Sequence, residues 1–260
     1  MKKHFTHFKG ILLAILMMAP VFSGNSQING MDDFISKLQE LRAISQKMGK
    51  YYILQNLYPA NSKYKNDLQQ NVETFNNIIV ELIDQAPSEE LEMEMQKLNL
   101  TWMYVGKILK TKYDRAAAAK VLDKLEYLQQ EADKISHLAV DLTKKNYARI
   151  VQTAAESRVM LQRMILYFIA KRAKVLNPHI EERFNESVRK LKEDIRTLEN
   201  WQGNDESTLM LLEMIKNKLK TLGKNISIDS KVSPLTADMV VEGMDNDLQL
   251  LMKVIKEKIQ

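Results

Sequence analysis

The sequence predicts an all-α protein: two tandem antiparallel four-helix bundles joined by one long continuous helix. Three observations carry this. Breakers are scarce, with 8 Gly and 5 Pro in 260 residues, whereas strand-rich folds need turn residues every ~8–12 positions. The chain is 45% hydrophobic, 27% charged and 7% aromatic, a mixture that suits amphipathic helices. Its apolar residues recur at steps of three and four, the spacing of one helical face.

The first helix follows from Phe34, Leu38, Leu41, Ser45, Met48 and Tyr52. Pro59 stops it, and Asn61 or Ser62 caps the next. The second carries Leu68, Val72, Phe75, Ile79 and Leu82. Pro87-Ser88 precedes the third, with Leu91, Met95, Leu98, Trp102, Val105 and Leu109. Asp114 caps the fourth, which shows Val121, Leu125, Leu128, Ala132 and Ile135. Four such helices with short connections make an up-and-down bundle.

The pattern then repeats at a shift of 116 residues. Arg42, Gln46, Met48 and Tyr51 land on the identical residues Arg158, Gln162, Met164 and Tyr167. Lys47 lands on Arg163 and Tyr52 on Phe168. The second stripe lands on Phe184, Val188, Leu191, Ile195 and Leu198, and Pro87 on Gly203. One further residue of shift places Met95, Leu98 and Trp102 on Leu212, Ile215 and Leu219. Ser233-Pro234 opens a last helix with Met239, Met244, Leu248, Leu251 and Ile255. The units are 31–146 and 147–260. From Asp114 to Leu176 there is neither Pro nor Gly, which favours one helix running through both units with the bundles stacked. A kink near Thr143–Asn146 is the alternative, and it would fold them side by side.

Residues 1–26 read as a secretory signal peptide: Lys2, Lys3 and Lys9 without an acid, an apolar run from Ile11 to Phe22, then small polar residues. Cleavage after Ser23 and after Ser26 both fit, and a retained anchor is the other reading. The apolar run falls short of the ~20 residues of a membrane span. The formal charge of +5 drops to +2 without the leader, so no basic footprint for nucleic acid remains. The expectation is a periplasmic protein with no stable membrane span once the leader is cleaved.

Catalytic and metal constellations are not expected. There is no cysteine, and neither His137 nor His179 has a Glu three residues before it, as di-iron bundles require. No phosphate-cradling glycine loop or nucleophile elbow occurs. The reading therefore assigns no enzyme activity and no cofactor.

The stretch Arg42-Ala43-Ile44-Ser45-Gln46-Lys47-Met48 and its copy Arg158-Val159-Met160-Leu161-Gln162-Arg163-Met164 resemble the signature Arg-Met-Leu-Ser-Gln-Arg-Met of PilJ-type sensory domains. These are the N-terminal domains of type IV pili methyl-accepting chemotaxis transducers, related to the sensors of nitrate/nitrite kinases. The resemblance implies an extracytoplasmic four-helix sensor. It also implies that the first arginine, Arg42 or Arg158, lines an anion site between two first helices. Guanidinium forks suit planar oxyanions, and Gln46 and Gln162, one turn on, would add donors. Ser45, Lys47 and Arg163 are secondary candidates. Lys47 loses the bidentate geometry of the family arginine, and Leu161 replaces the motif serine.

Against this stands the plainer reading of Arg42 and Arg158 as solvated flank residues whose stems cover the core edge. The expected function is ligand sensing, with a small anion or other small molecule as ligand, an envelope signalling protein as partner and no output domain of its own. A homodimer would build the site if the bundles stack. A structural or interaction bundle that has lost its ligand is the alternative.

Overall fold

The computed structural model describes residues 30–143 and 146–259. The leader assigned to residues 1–26 lies outside them. Among the described residues there are eight helices and no strand: α1 (Met31–Leu57), α2 (Ser62–Asp84), α3 (Glu89–Leu109), α4 (Arg115–Thr143), α5 (Asn146–Arg172), α6 (Ile180–Glu199), α7 (Glu206–Asn225) and α8 (Pro234–Ile259). No described helix is long and apolar enough to cross a membrane.

The predicted stops and caps fall at the helix ends. Asn61 accepts from the Lys63 amide at 3.2 Å, and Ser88 Oγ from the Leu91 amide at 3.3 Å. Asp114 accepts from Ala117 at 2.7 Å, and Ser233 Oγ from Thr236 at 3.1 Å. Each satisfies one of the amides that a helix start leaves without an intrahelical partner. Gly203 sits between α6 and α7, where a Cβ would meet the Trp201 ring at 2.3 Å.

α1 packs against α2 and α4, and α3 lies against the same two helices. α5 packs against α6 and α8, and α7 against those two in turn. The two sets meet because α1 also packs along α5. α1 therefore has three neighbours and α5 four, counting α4, and a single apolar core runs through both sets.

This corrects the expected continuous helix. In one straight α-helix Ser136 and Gln152 would stand ~24 Å apart. Instead Gln152 Nε2 donates to Ser136 Oγ at 3.2 Å, so α4 and α5 lie beside each other at this end. The absence of Pro and Gly permitted a continuous helix but could not outweigh the burial gained along the α1–α5 seam. Gly49 sits where α1 meets both α4 and α5: a Cβ there would meet Leu125 Cδ1 of α4 at 2.6 Å and Leu166 Cδ2 of α5 at 3.1 Å.

The predicted stripes face the core with one exception. Met239, given to the inner face of α8, is 68% exposed, and Ala237 and Val241 take the inward positions.

Candidate functional site

The seam explains why the motif residues are buried. On a bundle standing alone they would flank the core. Here α5 covers that flank of α1, and α1 covers that flank of α5. Arg42 is fully buried and Arg158 partly so, its side chain 13% accessible, so neither is the solvated flank residue of the plainer reading.

Burying a cation demands a partner, and each motif cation finds carboxylates of this chain. Arg42 Nη2 pairs with Asp133 of α4 at 2.8 Å and Glu156 of α5 at 2.6 Å, while Nη1 donates to Gln39 at 2.8 Å. Its Nε has no hydrogen-bond partner, and Nη2 meets its two carboxylates as ion pairs without hydrogen-bond alignment. Arg158 forks onto Asp245 of α8, Nε to Oδ1 at 3.0 Å and Nη2 to Oδ2 at 3.1 Å. Lys47 reaches the same Oδ2 at 2.9 Å and Glu242 at 3.1 Å.

Arg163 forks onto Glu126 of α4 at 3.0 and 2.7 Å and also meets Glu186 at 2.8 Å. The Tyr167 hydroxyl completes Glu126 at 2.8 Å.

The glutamines and the serine serve this network. Gln162 donates to Glu242 at 3.3 Å and accepts from Lys50 at 3.2 Å. Fully buried Lys50 pairs with Asp238 at 2.7 Å and Glu242 at 2.6 Å. Ser45 donates to the Arg42 carbonyl at 2.6 Å, and Gln46 donates to Ser45 at 3.2 Å. Gln46 Oε1 is buried without a partner.

Burial opposes the charges of Asp245, Glu242, Glu126, Lys47 and Lys50, and the opposite charges win. Arg158 and Lys47 hold Asp245 below the usual carboxylate range, and Lys50 and Lys47 do the same for Glu242. Arg163 depresses Glu126 in spite of its burial. Lys47 and Lys50 are raised because their acid partners outweigh desolvation.

The structure thus brings the two motif copies together, but not arginine to arginine. Arg42 reaches acids on α4 and α5, and Arg158 turns toward α8. Among the ion pairs that join the copies is a crossed pair. Glu242 lies 116 residues after Glu126, the shift that relates Lys47 to Arg163. Lys47 of the first set meets Glu242 of the second, and Arg163 of the second meets Glu126 of the first.

The acidic row Asp238, Glu242 and Asp245 on α8 was missed in the sequence. The 116-residue register could have pointed to Glu242, which falls on Glu126, but Asp238 and Asp245 fall on Leu122 and Gln129 and carried no such signal. His137 and His179 are exposed, their side chains 64% and 56% accessible. No group of three metal-ligating side chains with suitable geometry occurs among the described residues.

Several cavities border the network, among them two strongly polar ones. One, of about 380 Å³, lies between α1, α2, α5 and α8 and is lined by Lys47, Lys63, Arg158, Glu40, Asp67 and Glu242, among others. The other, of about 110 Å³, opens over Arg42's partners Asp133 and Glu156. Comparison with known protein families, curated proteins and solved structures finds no match for this chain.

Proposed function

We propose that this chain is an exported, non-catalytic module of two four-helix bundles of the sensory type, in which the anion position of the motif is filled from within. The observation that carries this is Asp245. Its carboxylate is a planar oxyanion held by the guanidinium fork of Arg158 and the ammonium of Lys47. That is the chemistry the resemblance assigns to a free anion between two first helices. With that position occupied by its own side chain, the module works as a fixed structural or interaction component of the envelope.

The reading of an exchangeable anion ligand requires Asp245 to leave Arg158, which exposes a carboxylate to a poorer partner. Calorimetric titration with nitrate, nitrite and formate separates the two. The native chain should give no binding heat, and Asp245→Ala, which leaves Arg158 and Lys47 without their acid, should bind these anions. Saturable binding to the native chain that Arg158→Ala abolishes would establish the exchangeable site instead.

A further inference from the structure

The seam contacts fix the direction of the helices. Arg42 meets Glu156 and, about two turns on, Lys50 meets Gln162, so α1 and α5 run parallel. From Lys47 to Lys50 the partner on α8 steps back from Asp245 to Asp238. From Gln152 to Arg163 the partner on α4 steps back from Ser136 to Glu126. With the other helices alternating, the α1–α2, α3–α4, α5–α6 and α7–α8 connections gather at the end opposite the start of α1.

That end is basic. Lys65, Lys110, Lys112, Arg115, Arg172, Lys174 and Lys231 stand exposed in or beside the four connections. None of them forms an ion pair among the described residues. The acids nearby are mostly engaged: Asp67 by Lys63, Asp114 by the start of α4, Glu181 by Lys171 and Glu182 by His179. Asp229 remains. The opposite end carries Asp32, Asp33, Asp84, Glu89, Glu90 and Glu92, all exposed. Sequence order hides this separation, because the cations come from four distant connections.

The α5–α6 tip adds an apolar group. Lys174 takes the left-handed position that closes α5, at φ 56°, with the Val175 amide returning to the Ala170 carbonyl at 3.0 Å. Glycine is the usual residue there. The turn leaves Lys174 exposed and Leu176 beside it 70% exposed.

We propose that this end docks on a bilayer surface rich in anionic lipid head groups, with Leu176 entering the interface. Lysines near such a surface each strengthen binding about fivefold, without needing a fixed partner geometry. A second copy of the chain is a poorer occupant. Its acidic end mixes in Lys253, Lys256 and Lys258, so it offers no face of one sign. The docking end is separate from the filled position at Asp245 and independent of it.

The test uses the chain from Gln27 onward, since the apolar run of the leader would bind bilayers by itself and every described helix and core residue lies beyond it. Co-sedimentation at low salt compares vesicles of equimolar phosphatidylglycerol and phosphatidylcholine with vesicles of phosphatidylcholine alone. Only the anionic vesicles should bind, and added salt should release them. Reversing Lys110, Lys112 and Lys174 together to Glu should weaken binding about a hundredfold or more. Reversing Lys192, Arg196 and Lys253 at the other end, an equal change in net charge, should not. An environment-sensitive fluorophore at Leu176→Cys should shift to the blue on the anionic vesicles, and the same fluorophore at Gln202→Cys should stay unchanged. The proposal is overturned if both vesicle types behave alike, if the two reversals act alike, or if the two labels respond alike. Self-association of the lipid-free chain that the first reversal abolishes, without vesicle binding, would give the end to a second copy instead. Should the first reversal not fold, the two labels decide.

Discussion

Lys47 and Arg158 close on the same oxygen of Asp245, at 2.9 and 3.1 Å. One cation comes from α1 and the other from α5, so a single carboxylate on α8 ties the two motif-bearing helices together. A buried ion pair often adds little net stability, because desolvation offsets the attraction. Removing one partner is a different matter, since it strands the other charge. Asp245→Ala should therefore lower unfolding stability by about 3 kcal/mol. Part of the loss should return in nitrate but not in chloride at equal ionic strength. Thermal melts by circular dichroism in the two salts check this, and equal melting temperatures in both would refute it.

The crossed pairs are not equivalent in strength. Glu126 is buried and satisfied by the Arg163 fork and the Tyr167 hydroxyl. Glu242 is partly open, its side chain 31% accessible, and it meets two lysines and Gln162. Lysine offers a point charge where arginine offers a fork. Glu126→Gln should cost about 3–5 kcal/mol and Glu242→Gln roughly half of that. Urea unfolding of both variants measures the order, which a purely duplicated scaffold would make equal.

Stability should also carry two opposite pH dependences. Burial holds Asp194 up to about 6, against the pull of Lys190 and with a further push from Glu156. A folded value above the unfolded one means that the folded state binds the proton more tightly. The penalty is then fully present above pH ~6 and disappears as pH falls toward the ordinary value. Asp245, Glu242 and Glu126 are depressed, so their contribution is complete above the unfolded carboxylate range and is lost as pH falls through the folded values. The native chain should be most stable in mildly acid solution. Asp194→Asn should remove the decline between about pH 4 and 6 and leave the acid limb in place. Melting temperature against pH for both chains tests the sign.

Helix existence and helix ends were legible because both are local. Caps such as Asn61 and Ser88 act within three residues, and the core stripes follow from steps of three and four. The exposure of Met239 shows where this stops: its neighbours Asp238 and Glu242 turn inward to Lys50, a demand set by α1 and invisible in α8 alone. The relative placement of the two units was not legible for the same reason. It depends on Gly49, whose bare Cα lets α1 approach Leu125 and Leu166, and on partners more than a hundred residues away in sequence. Arg42 stood out in the sequence as a residue of the repeated stretch. Its partner Glu156, contributed by the other unit, required that seam.

Gly49 offers a direct probe of the seam. Alanine places a methyl group 2.6 Å from Leu125 Cδ1 of α4 and 3.1 Å from Leu166 Cδ2 of α5, so Leu125 must shift or α1 must move away from α4 and α5. Overpacking of this kind costs about 1–3 kcal/mol, against the modest gain alanine brings to a helix interior. Gly49→Ala should destabilise, and Gly49→Ala with Leu125→Ala should recover part of the loss. Additive losses in denaturant unfolding would show that the contact does not govern the approach.

The side-by-side arrangement of α4 and α5 makes a geometric prediction that leaves stability aside. The chain has no cysteine, so paired spin labels can be placed cleanly. His137 and Thr153 suit this, because His137 Nδ1 lies 3.5 Å from Gln152 Nε2. Sixteen residues of continuous helix separate two positions by ~24 Å along the axis. Labels on adjacent antiparallel helices start instead from an interaxial distance of about 8–10 Å. Electron–electron dipolar spectroscopy on the doubly labelled chain should therefore return a narrow short distance. A distribution centred near the continuous-helix value would separate α1 from α5, and with them the crossed ion pairs on which the filled anion position depends.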